Sequence, residues 1–203
     1  LTWSPPIGQT FSISVFTHQK DLFASPVAAS CRPIRLLFGA HSMNCFSVKA
    51  AHFLPYYCAG EVVRGFGRGS RQLGCPTANL SDDAVEALPE EFPCGVYYGF
   101  ANVDGNDVYE MVMSVGCNVQ FQSERKTIEV HLLHLFDEDF YGAKLRVVAL
   151  GYLRPMTTFK SLEELIEAIQ RDIENAKSAL ASPTFQRFRG DEFFCCSRVD
   201  DSG

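Results

Sequence analysis

Positions 65–79 read G-F-G-R-G-S-R-Q-L-G-C-P-T-A-N and hold the chain's densest concentration of chemistry. Four glycines (Gly65, Gly67, Gly69, Gly74) let a backbone approach a ligand closely and present several N–H groups to it. Ser70 adds a hydroxyl, and Arg64, Arg68 and Arg71 add positive charge; together these suit a polyphosphate. Glycine-rich turns of a β-barrel would look the same. No G-K-[ST] follows at the required spacing, so the segment is not a P-loop.

Pro76–Thr77–Ala78–Asn79 narrows the chemistry. In an extended chain residues i and i+2 point the same way, so the Thr77 hydroxyl and the Asn79 amide oxygen converge while Ala78 points away. Both are hard oxygen donors suited to a magnesium ion that keeps waters and phosphate oxygens as its other ligands. The plainer reading is that both side chains bond to backbone at a turn.

Glu129 stands among Ile128, Val130 and Leu132. An ionised carboxylate there is costly if buried without a task, and inconsequential if it points out of a sheet to solvent. His131 shares its face and could orient it, although a strand histidine is more often structural.

Short β-rich runs punctuated by glycine must position these groups. They are Glu61–Val62–Val63, Gly95–Ala101, Met111–Val115, Thr127–Phe136 and Leu145–Leu150 running on to Pro155, with a turn at Asp104–Asp107. Strands with short turns and no intervening helices predict an antiparallel sheet closed as a barrel, and exclude a parallel α/β layout. One helix is clear. Ser161-x-x-Glu164 is a capping box, and Leu162, Leu165, Ile166, Ile169, Ile173, Ala176 and Leu180 then recur at spacings of three and four until Pro183. This stripe predicts packing on the outside of the barrel, with Phe193–Phe194 tucked onto the same body.

The 203 residues suit one domain with an extension, and 46% hydrophobic against 21% charged residues suffices for a real core. No window approaches 18 consecutive apolar residues, so no transmembrane helix is expected. A net charge of −6 argues against a general nucleic-acid binder. Residues 1–50 are read as a poorly structured extension, basic and serine-rich like a mitochondrial targeting leader, and 51–203 as the domain proper. The eight cysteines are scattered without a C-x-x-C pair. They read mostly as reduced core thiols of a cytoplasmic-type compartment.

Residues 54–180 resemble riboflavin kinase. The resemblance runs through Leu54–Cys58, Val62–Ser70, Leu73–Gly74, Pro76–Asn79, Gly95–Gly99, Ser114–Gly116, Asn118, Glu129–His131, Phe140–Gly142 and Gly151–Pro155, with G-F-G-R-G-S and P-T-A-N its most specific motifs. It implies a closed six-stranded antiparallel Greek-key barrel, mainly β, with a C-terminal helix on its outside. It also implies transfer of the γ-phosphate of ATP to the ribityl 5′-hydroxyl of riboflavin, giving ADP and FMN; the alternative reading is a non-catalytic barrel that binds flavin or single-stranded nucleic acid. Carried over residue by residue, Glu129 is the catalytic base, and Thr77 and Asn79 hold Mg²⁺, with Mn²⁺ or Zn²⁺ as alternatives. Gly65, Gly67, Arg68, Gly69, Ser70, Arg71, Thr77, Leu132, His134 and Tyr141 bind ATP, and Arg154 and Phe159 bind the flavin. A monofunctional, monomeric enzyme with neither nucleic-acid nor membrane partner is expected, without the H-x-G-H motif that FAD synthesis would need. Its compartment is read as cytoplasmic, with the mitochondrion the alternative if residues 1–50 act as a leader. Cys75 replaces a branched aliphatic, Arg71 replaces a lysine, and Cys117–Asn118–Val119 stands where the family shows an aromatic followed by Asn-Pro. The kinase assignment requires Glu129, Thr77 and Asn79 to face a common cavity from neighbouring strands; a carboxylate on the outer wall, or beyond a substrate's reach of the pair, would overturn it.

Overall fold

A computed structural model describes residues 45–65, 75–120 and 123–195. Helix α1 (Cys45–Ala51) leads into strands β1 (Tyr56–Val63) and β2 (Ala78–Leu80), then the short helix α2 (Asp82–Glu86). Strands β3 (Gly95–Val103), β4 (Val108–Gln120), β5 (Ser123–Leu132) and β6 (Lys144–Arg154) follow. Helix α3 (Leu162–Leu180), helix α4 (Pro183–Gln186) and two 3₁₀ turns end the described chain. The strands close into a barrel in the order β1-β2-β5-β4-β3-β6, every pairing antiparallel. That is the expected architecture, with α1 and α2 added to the single helix the periodicity revealed.

Alternation along each strand sorts side chains between the inside and the outside. On β5, Ile128, Val130 and Leu132 are buried; on β4, Met111, Met113 and Val115; on β2, Ala78 and Leu80. With Val62, Val147 and Ala149 they fill the interior completely. Phe92, on the segment between α2 and β3, closes one end of the barrel against Phe53, Tyr56 and Tyr97.

Helix α3 begins as the capping box predicts: Ser161 Oγ accepts the Glu164 N–H at 3.2 Å, while the Glu164 carboxylate accepts the Lys160 N–H at 2.9 Å. Its deepest row is Ala168, Asp172, Ala176 and Leu180, four residues apart, so the buried face is rotated from the predicted stripe and Leu162 is left exposed. Leu180 and Phe194 pack over Phe100, Val148 and Leu150 on the outer wall. The Phe193–Phe194 tail therefore docks where the sequence suggests.

Helix α1 carries the fully buried Ala50 into the core. The rest of the expected extension lies outside the described residues. The reading of reduced core thiols holds for the buried, free Cys58; Cys75 and Cys195 are free but half-buried and exposed respectively, and the reading fails for one pair, since Cys94 and Cys117 form a disulfide. Pairing of Gly95 with Val115 brings the two within 6.5 Å between Cα atoms, a juxtaposition that no sequence spacing discloses.

Candidate active site

Register assembles the site. Asn79 on β2 lies directly across from Glu129 on β5, and Glu129 directly across from Ser114 on β4. Residues opposite each other in an antiparallel pair share a face, with Cβ atoms about 5 Å apart. Thr77, two residues before Asn79, is on that face too, and its hydroxyl donates to the Glu129 carboxylate at 3.3 Å. His131 turns its Nδ1 to the Pro76 carbonyl at 2.8 Å. A carbonyl only accepts, so Nδ1 carries the proton, and the ring holds the backbone of the Thr77–Asn79 segment rather than the carboxylate.

This common surface is the outer wall, not an internal cavity. Ile128 and Val130 point inward on either side of Glu129, as Ala78 and Leu80 do beside Asn79. The expectation of an internal cavity is corrected for a physical reason: a six-stranded cylinder holds only its own side chains, so a substrate must sit outside it. An outward carboxylate is therefore no obstacle to catalysis. Glu129, Thr77 and Asn79 are each half-buried there.

The glycine-rich segment leaves β1 beside this group. Val63 pairs with Asn79, and Gly65 sits so close that an added Cβ would lie 2.8 Å from Asn79 Oδ1. A side chain at 65 would occupy the space in front of the amide. Gly67, Arg68, Gly69, Ser70 and Arg71 lie outside the described residues. Beyond Gly65 the Arg64 guanidinium stacks on the Tyr141 ring at 4.6 Å, and Tyr141 is 47% exposed. His134, exposed, stacks on Tyr109 at 4.3 Å and meets Phe136 edge-on. Leu132 differs: its side chain belongs to the core, so only its backbone reaches the outer surface.

Arg154 and Phe159 lie elsewhere on the same wall. Arg154 pairs with Val96 on β3, which pairs with Ser114. Three inter-strand steps thus separate Glu129 from Arg154, roughly 14 Å along the sheet. Arg154 Nε lies 3.0 Å from both Asp172 carboxylate oxygens, and Nη2 lies 2.7 Å from one of them. The guanidinium also sits 5.6 Å from the Phe159 ring centre. These residues line a cavity of about 330 Å³ with Leu153, Thr157, Ala168 and Asn175. Asp172 escapes sequence reasoning because a charge on a helix is normally solvated. The available signal is its place four residues from both Ala168 and Ala176, within the stripe.

Among the described residues no cluster of three or more His, Cys, Asp or Glu could hold a metal ion. The Thr77, Asn79 and Glu129 oxygens form a hard donor set that fits a cation sharing its shell with water and phosphate. No described helix is long and apolar enough to cross a membrane.

Comparison with known proteins agrees with this geometry. The family profile described as "Flavokinase: Riboflavin kinase" matches residues 53–180. Riboflavin kinase of Homo sapiens is 51% identical over 145 residues, covering 71% of this chain and 94% of the human protein. The bifunctional riboflavin kinase/FMN phosphatase of Arabidopsis thaliana is 48% identical over 139 residues, covering 68% of this chain and 37% of the plant protein. The crystal structure of riboflavin kinase from Trypanosoma brucei superposes with a TM-score of 0.55 at 31% identity, covering 68% of this chain and 87% of that one. With the barrel and these likenesses in agreement, the chain belongs to the riboflavin kinase family of phosphotransferases.

Proposed function

We propose that this enzyme transfers the γ-phosphate of ATP to the ribityl 5′-hydroxyl of riboflavin, with Glu129 as general base and Mg²⁺ held by Thr77 and Asn79. The observation that carries the reading is the contact of Thr77 with Glu129 beside Asn79, which brings a base and two neutral oxygen donors onto one patch. Phosphoryl transfer needs alignment and charge compensation more than covalent help. The cation, when bound, neutralises charge on the phosphate oxygens.

The chain's residues then divide the work. Gly65 leaves room before Asn79, and the segment through Arg68, Ser70 and Arg71 covers the phosphates. Arg64, Tyr141 and His134 serve the nucleoside end, with Leu132 contributing backbone alone. Arg154 and Phe159 receive the isoalloxazine in the cavity beside α3, and the ribityl chain extends across β3 and β4 towards Glu129. There the carboxylate takes the hydroxyl proton as the new P–O bond forms, a contribution of about 10²–10⁴-fold. Manganese or zinc could occupy the same oxygens. We read the domain as 51–203, preceded by an extension, and as a monomer. The cytoplasm is its proposed compartment, and no nucleic acid or membrane its partner.

The test is FMN formation from riboflavin, ATP and Mg²⁺. Glu129→Gln should lower turnover by about 10²-fold or more while flavin binding, followed by fluorescence quenching, is kept. Unchanged turnover removes Glu129 from its role.

A further inference from the structure

The Cys94–Cys117 bridge occupies a junction. Met111, Met113 and Val115 face the barrel interior, and Cys117 continues that series at the barrel mouth. Opposite it on β5 stands Lys126, whose ammonium donates to the carbonyls of Pro89, Glu90 and Phe92 at 3.1, 2.6 and 3.1 Å. The segment that closes the barrel with Phe92 is thus tied to the β4–β5 hairpin twice, by Lys126 and by the bridge. Glu129 is three residues beyond Lys126 on the same strand. On the other side Cys94 runs into Gly95, where an added Cβ would lie 2.8 Å from the Arg154 carbonyl oxygen. The disulfide therefore joins β4, whose neighbour β5 carries Glu129, to the start of β3, whose neighbour β6 ends in Arg154. Neither cysteine is buried, so both sulfurs are open to thiol exchange.

The geometry points to a reversible redox latch: Cys94 and Cys117 couple the thiol–disulfide balance of their surroundings to the alignment of the two substrate sites. The inference rests on the functional reading above. Two molecules of a monothiol such as glutathione reduce the bridge. The S–S bond breaks, Cys94 and Cys117 each gain a hydrogen, and the two monothiols leave as their own disulfide. In a compartment that keeps most thiols reduced, a bridge of this kind is a responsive one. Opening it removes the covalent tie of the closing segment to β4 and leaves that segment held by Lys126 and by the packing of Phe92.

The experiment equilibrates the full chain in reduced-to-oxidised glutathione buffers, quenches with acid, alkylates and maps peptides. Riboflavin and ATP kinetics are measured on the same samples. We expect the Cys94–Cys117 peptide to grow with oxidation and riboflavin kcat/KM to rise about 5- to 10-fold in step, with the KM for ATP moving less. Cys94→Ser and Cys117→Ser should each abolish the response. Absence of the linked peptide under oxidising buffer overturns the proposal, as does a bridge that titrates while kinetics stay flat, or a response that survives in both variants. Were Glu129→Gln to keep full turnover, the functional reading would fall while peptide map and redox response would still report on the latch.

Discussion

Removing Asp172 tests whether a buried helix carboxylate sets the posture of the proposed flavin arginine. In Asp172→Ala the Arg154 fork loses three contacts of 2.7–3.0 Å and keeps only the Pro155 carbonyl, 3.2 Å from Nη1. Hydrogen bonds to charged groups contribute about 1.5–3 kcal/mol each way of counting. The carboxylate side chain is 8% exposed and the arginine side chain 26%, so solvent screens one partner in part. That discount leaves about 2 kcal/mol, equivalent to a fall in Tm of roughly 4–8 °C for a domain of this size. The functional consequence is separable from the structural one. A freed guanidinium samples several rotamers over Phe159, so the KM for riboflavin should rise about tenfold, equivalent to about 1.4 kcal/mol, while the KM for ATP holds. Asp172→Asn keeps one acceptor oxygen and should fall between. Thermal melts followed by steady-state kinetics varying each substrate in turn provide the assay. A raised KM for ATP with an unchanged KM for riboflavin would refute the reasoning, since Arg154 would then serve the other substrate. So would an Ala variant as stable as wild type.

Other perturbations address the remaining parts of the wall. Gly65→Ala places a methyl against the Asn79 amide and should raise the Mg²⁺ concentration for half-maximal activity about tenfold with little change in Tm, since Gly65 is exposed; an unchanged metal requirement would detach Asn79 from the cation. Burial pushes the Cys58 thiol up to about 12, far above its unfolded value of about 8.5. Its contribution is therefore whole below pH ~8.5 and is lost as pH rises towards about 12, because the unfolded chain releases that proton first. Urea midpoints measured from pH 8 to 11 should fall, and Cys58→Ala should flatten part of that fall, the rest being shared by Tyr97 and the other groups that burial pushes up, Tyr56, Tyr57, Tyr98, Tyr152 and Cys75. Equal slopes in both proteins would count against a buried, protonated Cys58.

Much of this molecule was legible in the residues alone. Period-two runs, short turns and the absence of crossover helices pointed to a closed antiparallel barrel, since a strand's alternation is a local property that needs no partner to be seen. The Ser161–Glu164 cap and the stripe behind it located α3 for the same reason. Glu129, Thr77 and Asn79 could be named because few residue types supply a base and hard oxygen donors, and because the motifs around them are specific. Which face those residues occupy was decided only by closure of the barrel. The interior fills with Ile128, Val130, Ala78 and Leu80, and the alternation of the strand sends the residues between them, Glu129 and Asn79, outside. Leu132 went to the core by the same rule. The pairing of Arg154 with Asp172, the stacking of Arg64 on Tyr141 and the bridge from Cys94 to Cys117 each join distant positions whose proximity is created by strand register or helix docking. Local sequence carries propensity and periodicity; contacts between remote segments exist only once the sheet has closed and fixed its register.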